Sequence, residues 1–105
     1  MLVIRGINVF PSQIEHVLLQ IPEVGNQFMV YVDRINHLDE MTIDVEINRS
    51  YFSGELHDLA RIQKKVVKEL RDALEIRTNI RLVEPGTLPR FEGKAKRVVD
   101  RRAEA

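Results

Sequence analysis

Residues 41–48 alternate strictly between apolar and polar side chains, and this alternation limits the folds open to the chain. The apolar positions are Met41, Ile43, Val45 and Ile47, and the polar ones are Thr42, Asp44, Glu46 and Asn48. Period-two alternation is typical of an antiparallel strand with one face on a core and one face in water. We therefore predict that Asp44 and Glu46 are solvated carboxylates without a chemical role.

Other segments show the patterns of further strands and of two helices. Residues 27–34 are predicted to pair with this strand as a hairpin, and short strands are predicted at residues 2–4 and 80–84. Apolar positions at helical spacing predict a first helix at about residues 13–20, with Ser12 and Glu15 as its capping box. A longer helix is predicted at about residues 54–74, with Ser53 as its N-cap.

This order of elements predicts one α+β domain spanning residues 1–105. The pattern is βαββαβ, ferredoxin-like: a small, mainly antiparallel sheet with two helices on one face, followed by a basic C-terminal tail.

Composition excludes several classes of function. The chain has 105 residues, 16 basic and 16 acidic, so net charge argues neither for nor against a polyanionic partner. It has no cysteine, which excludes disulfides and thiolate catalysis and suits a cytoplasmic protein. No apolar run approaches the roughly 18 residues that span a membrane. His16, His37 and His57 lack the spacing of metal ligands, so we predict no metal site on this chain.

The segment Leu88 to Arg102 contains the strongest chemical signal, Gly93-Lys94. Glycine leaves room for a ligand beside the backbone, and a lysine after it can present a mobile cation to a carboxylate or phosphate. Lys96 and Arg97 have the same charge with less specific placement. The alternative is a solvated basic tail.

A second signature lies at the other end, in Arg5-Gly6 and the run Phe10-Pro11-Ser12-Gln13-Ile14-Glu15. With Pro89-Arg90 and Gly93-Lys94 in the same order, these motifs resemble the C-terminal domain of the adenylate-forming acyl-CoA ligases. The phenylacetate-CoA ligase branch is the most similar, and the resemblance covers the whole chain. Phe91 departs from the pattern, since a small polar residue is expected there.

The resemblance implies an ATP-dependent ligase that makes an acyl adenylate and then a CoA thioester. Lys94 is implied as the catalytic residue of adenylation, and the residues implied to contact cofactors are Arg5, Gly6, Gly93, Lys96 and Arg97. ATP and CoA would be substrates, with Mg²⁺ held mainly by a large N-terminal adenylation domain. Met1 falls close to the family's hinge between the two domains. We therefore expect the chain to be a fragment or excised domain that is inactive alone.

Other functions remain open for the same fold. A stand-alone regulatory or interaction domain for small molecules would use it without chemistry. An RNA-recognition module would need aromatic residues exposed on the sheet, but only 6% of the residues are aromatic and no segment has that module's signature. A homodimer is open as well. The acid substrate, expected to be phenylacetate or another aryl acid, would be chosen by the N-terminal domain.

Overall fold

The structure, a computed structural model, describes residues 2–52, 55–88 and 97–102. Eight regular elements and one short 3₁₀ turn lie within these ranges. In chain order they are β1 (Leu2–Ile4), β2 (Ile7–Val9), α1 (Pro11–Leu19), β3 (Val24–Ile35), β4 (Leu38–Ile47), the 3₁₀ turn (Arg49–Tyr51), α2 (Leu56–Leu74), β5 (Asn79–Val83) and β6 (Val98–Asp100).

The main sheet has four strands in the order β5-β4-β3-β6. Its centre is the long antiparallel hairpin β3–β4, as the alternation of residues 41–48 predicts. The outer strands β5 and β6 each run parallel to their inner neighbour. The predicted α+β class with two helices is therefore confirmed. The sheet is mixed at its edges because each outer strand returns to it through a crossover connection.

Two elements differ from the predicted βαββαβ order. The opening strand lies outside the main sheet and pairs with β2 in a separate two-stranded hairpin. The segment predicted as a basic tail contributes β6, which pairs with β3 through Val30, Tyr31 and Val32. The two strands that the sequence analysis did not predict, β2 and β6, are each only three residues long, too short for a periodic pattern to reveal them.

Both predicted helix starts are wrong. Helix α1 begins at Pro11 because proline suits the first helical position, and the Phe10 amide donates to the Gln13 side chain at 2.8 Å. Helix α2 begins at Leu56 with Glu55 as its N-cap, whereas Ser53 lies outside the described residues. The two helices contact each other, and α1 packs on β3 while α2 packs on β5.

One continuous apolar core lies between the helices and the sheet. Strands β3 and β4 contribute their inward-facing positions, and α2 contributes a stripe at helical spacing. The α2 stripe consists of Ile62, Val66, Leu70 and Leu74, while Ala73, three residues after Leu70, is exposed. Ile4 and Val9 join the same core, so the β1–β2 hairpin is packed onto the domain.

Candidate functional site

Arg5 and Gly6 form the two-residue turn of the β1–β2 hairpin, between the paired residues Ile4 and Ile7. Both have positive φ, 50° and 80°, as a type I′ turn requires. An added Cβ on Gly6 would meet no atom within 4 Å, so the glycine is explained by backbone conformation and not by crowding inside the domain. The turn is therefore an exposed backbone surface with no side chain at its second residue.

The Arg5 side chain bonds within the domain. Its Nε donates to the Asp39 backbone carbonyl at 2.8 Å, and its Nη2 lies 3.2 Å from a Glu40 carboxylate oxygen. Both partners belong to the start of β4, 34 and 35 residues along the chain. Arg5 thus connects the hairpin turn to the start of β4, an inner strand of the main sheet. Its predicted contact with CoA stays a prediction.

Asp39 is the centre of a charged cluster formed by Arg5, Arg34, Asp39, Asp100 and Arg102, here called the Asp39 cluster. The Asp39 carboxylate accepts from Arg34 Nε at 3.0 Å through one oxygen and from Arg102 Nη1 at 2.9 Å through the other. These hydrogen bonds hold the pKa of the Asp39 carboxyl below its ordinary value of 3.8. The carboxylate is therefore ionised at neutral pH.

Arg102 joins three parts of the chain. Its Nη1 donates to the Val3 carbonyl of β1 at 2.7 Å as well as to Asp39. Its Nε and Nη2 donate to the two carboxylate oxygens of Asp100 at 3.0 and 2.9 Å. The Arg102 and Asp39 side chains are only 15% and 14% exposed, so water screens this pair less than an open surface pair. Together with Gly6, the Asp39 cluster lines a surface cleft of about 540 Å³.

Glu46 and Asp44 are buried, contrary to the prediction that both are solvated. Only 3% of Glu46 is exposed, and its carboxylate accepts from the backbone amides of Gly86 at 3.0 Å and Leu88 at 2.8 Å. Asp44 is 6% exposed and holds Arg81 through two hydrogen bonds of 2.6 and 2.8 Å. The outer face of β4 is polar because it binds a neighbouring strand and a turn, not because it faces water.

The Glu46 contacts hold the turn that immediately precedes residues 89–96 in the sequence. Gly93, Lys94 and Lys96, three of the predicted site residues, lie outside the described residues together with Pro89-Arg90 and Phe91. At the other end of this segment the Arg97 carbonyl accepts from the Val30 amide at 2.7 Å. The described backbone on both sides of the Gly93-Lys94 motif is thus bonded to β3 and β4.

Arg97 is half-buried and bonded within the domain. Its guanidinium carbon lies 4.7 Å from the centre of the Phe28 ring, and its Nη1 lies 3.9 Å from Glu15 on α1. Burial over an aromatic ring strengthens such a contact by removing water from the cation. The predicted role of Arg97 in binding a cofactor is not tested by these contacts and stays a prediction.

The open face of the sheet carries Tyr31 between two arginines. Arg81 and Arg101 lie 6.0 and 5.0 Å from its ring centre. Arg101 also holds Asp33 through two hydrogen bonds of 2.6 Å, as Arg81 holds Asp44. Both of these guanidiniums are paired with a carboxylate, so neither is readily available to the phosphates of a nucleic acid.

The three histidines are exposed, as predicted. Within the described ranges, no group of three or more histidine or acidic side chains could hold a metal ion. No helix in that part of the chain is long and apolar enough to cross a membrane.

The sequence analysis did not identify Asp39, Arg102 or Glu46. Each of them also has at least one partner 40 or more residues away, and no local spacing indicates such a partner. For Glu46 the alternation of residues 41–48 does not distinguish a carboxylate that faces water from one that binds a turn.

A family model described as the AMP-binding enzyme C-terminal domain matches residues 6–102. The chain belongs to this family, which confirms the resemblance seen in the two signatures. It is 36% identical to the phenylacetate-coenzyme A ligase of Thermus thermophilus and 33% identical to that of Escherichia coli. Both alignments cover 97% of this chain, but only 26% and 23% of those proteins. The chain therefore spans about a quarter of the length of these relatives.

Solved structures agree with this membership. A domain of a phenylacetate-coenzyme A ligase from Bacteroides vulgatus superposes with a TM-score of 0.87 at 32% identity, covering 97% of this chain and 92% of that one. A 2-hydroxyisobutyryl-CoA ligase in complex with 2-HIB-AMP and CoA, in its thioesterification state, has a TM-score of 0.91 at 29% identity. That match covers 97% of this chain and 21% of the ligase.

Proposed function

We propose that this chain acts as the C-terminal domain of a phenylacetate-CoA ligase or a ligase of a related aryl acid. The reaction joins acid, ATP and CoA to give acyl-CoA, AMP and pyrophosphate. The observation that carries the proposal is similarity along 97% of this chain to phenylacetate-coenzyme A ligases, which it matches over about a quarter of their length. An N-terminal adenylation domain supplies the acid pocket, most ATP contacts and the Mg²⁺ site.

Lys94 supplies the cation for the first step. The acid carboxylate must approach the α-phosphate of ATP, and a positioned ammonium offsets the repulsion between these anions most strongly as charge builds up. Gly93 leaves room beside it. The support from the structure is indirect: Glu46 fixes Gly86 and Leu88 before this segment, and Val30 binds Arg97 after it.

The Arg5-Gly6 turn serves the second step, in which CoA displaces AMP. Its support is the exposed turn with no side chain at Gly6 and open space around it, which would let the pantetheine arm pass close to the backbone. The domain rotates between the two steps, offering Lys94 first and the turn second. Lys96 and Arg97 are proposed to contact ligand phosphates.

The proposal includes the setting of the enzyme. We place it in the cytoplasm, where ATP and CoA are available. A chain without cysteine is compatible with that reducing compartment. A homodimer is retained as a prediction. The isolated domain carries only half of the site, so catalysis requires the N-terminal domain.

The test is to join this chain to its N-terminal domain and replace Lys94 with alanine. Lys94→Ala should slow acyl-adenylate formation by about 100-fold or more, the usual effect of losing one group that stabilises the transition state. Thioester formation from supplied adenylate should be nearly unchanged. Lys64→Ala is the charge-matched control, since Lys64 is an exposed lysine of α2 that lies 30 residues before Lys94 in the sequence. Equal loss in both half-reactions would contradict the role assigned to Lys94.

A further inference from the structure

The contacts of the β1–β2 hairpin make the position of its turn depend on residues at the far end of the chain. Ile4 and Val9 pack on the core, but the turn itself is exposed and contains two residues of positive φ. A turn of this kind gains little from apolar burial, so its orientation depends on the polar contacts next to it. Those contacts come from β4 and from Arg102, the second residue after β6.

Two arginines fasten the turn from opposite directions. Arg5 reaches outward from the turn to the Asp39 carbonyl and to Glu40. Arg102 reaches inward from the end of the described chain to the Val3 carbonyl, one residue before Ile4. Both attachments meet at Asp39, whose carbonyl binds Arg5 and whose carboxylate binds Arg102.

We infer that Arg102 and Asp39, with Arg5, are positioning residues that hold the Arg5-Gly6 turn in place for the CoA step. The inference deepens the proposed function and rests on it. It assigns the Arg5 guanidinium to the domain's own β4 instead of to CoA, so that only the backbone of the turn faces the ligand. Arg102 is suited to this work because a planar guanidinium can serve Val3, Asp39 and Asp100 together, which a lysine ammonium cannot do in the same geometry.

The chain offers a matched control in the adjacent residue. Arg101 also follows β6 and also holds a carboxylate, Asp33 on β3, but none of its observed contacts reaches the hairpin. Arg101→Met and Arg102→Met each remove one guanidinium that ties the end of β6 to the sheet. Only Arg102→Met removes a bond to β1, so the difference between the variants isolates the hairpin.

The first measurement is amide hydrogen exchange on the 105-residue chain, which does not depend on any activity. Arg102→Met should raise exchange of the amides at residues 2–9 by about 10- to 100-fold, the range expected for a lost charge-assisted hydrogen bond. The amides of β3 and β4 should keep their protection. Asp39→Asn, which preserves size and removes charge, should act in the same direction. Unchanged hairpin exchange in both variants would overturn the inference.

The second measurement uses the chain joined to its N-terminal domain. Arg102→Met and Arg5→Met should raise the KM for CoA and slow thioester formation about tenfold or more, by analogy with the loss of other outer positioning contacts. Adenylation should be unchanged, Arg101→Met should behave as the parent, and Arg102→Lys should restore part of the rate. Faster hairpin exchange with a normal CoA step would overturn the role of the turn itself, and with it that part of the proposed function. An Arg5→Met defect in CoA binding without faster exchange would instead make Arg5 a direct CoA ligand and overturn the inference.

Discussion

Replacing Glu46 with alanine should destabilise the domain far more than the same change at Asp44, two residues earlier on the same face of β4. Both carboxylates are buried, and each accepts two hydrogen bonds from residues that the structure describes. Their partners differ, because Glu46 binds two backbone amides and Asp44 binds the side chain of Arg81. When the carboxylate is removed, the backbone amides of a fixed turn cannot rotate towards water, whereas the long side chain of Arg81 can.

The expected losses in unfolding free energy depend on how exposed each hydrogen-bond donor is once its carboxylate has been removed. The Leu88 amide is buried, so losing its acceptor leaves an unsatisfied donor that costs about 1–3 kcal/mol. Gly86 is exposed, and water replaces much of its bond, leaving about 0.5–1 kcal/mol. The Arg81 side chain is 63% exposed and returns to water, so Asp44→Ala should cost about 1 kcal/mol or less. Glu46→Ala should therefore cost about 1.5–4 kcal/mol of the roughly 5–15 kcal/mol that is typical of a domain.

Urea unfolding followed by circular dichroism measures both variants on the 105-residue chain. With a slope of about 2 kcal/mol per molar urea, the midpoint should fall by about 0.8–2 M for Glu46→Ala and by less than about 0.5 M for Asp44→Ala. Unchanged slopes would show that the comparison reports native-state contacts. An Asp44→Ala loss equal to or larger than that of Glu46→Ala would refute the reasoning from partner exposure.

Three further predictions concern the turn, the Asp39 cluster and the isolated chain. Gly6→Leu should slow the thioester step selectively in the joined enzyme, while Gly6→Asn, which tolerates positive φ, should be milder; loss of single-turnover pyrophosphate release would indicate misfolding instead. The folded pKa of Asp39 is lowered, so its contribution to stability is present above about pH 4 and is lost as pH falls through the folded pKa. In acid titrations, the difference in unfolding free energy between the parent and Asp39→Asn should therefore shrink below pH 3.8. The 105-residue chain alone should release no acid-dependent pyrophosphate and should bind Mg-ATP weakly or not at all in calorimetry, whereas micromolar affinity would favour a nucleotide-binding regulatory domain.

Local patterns were sufficient for the long elements of this fold. The alternation in β4 and the helical stripe of α2 each extend over enough residues for their period to be read. The helix starts were placed wrongly because Ser12 and Ser53 have good capping chemistry, while the observed caps, Phe10 and Glu55, make no side-chain cap bond. In α1 the proline at Pro11 and the Gln13 side chain replace the expected cap.

The short elements and the polar partners depend on contacts far apart in sequence. Strand β6 has three residues and gains its place from pairing with β3, some 68 residues earlier. Separation in sequence also explains why Glu46 was predicted to be solvated, since the turn that covers it lies 40 residues later. Motif comparison succeeded where periodicity did not, because the Arg5-Gly6 signature carries information about the whole family and not only about its neighbours.

The contacts of the basic segment at the end of the chain help to decide which of its cations stabilises adenylate formation. In sequence its arginines and lysines are equivalent sources of positive charge, but the described arginines have internal partners: Arg97 with Glu15, Arg101 with Asp33 and Arg102 with Asp39 and Asp100. If Arg101 or Arg102 bound a phosphate, it would give up a carboxylate that ties the end of β6 to β3 or β4. Such a role would trade domain stability for ligand contact at each turnover. The charge argument therefore favours a lysine of the Gly93-Lys94 segment over these arginines, and it makes Lys94 the first residue to replace.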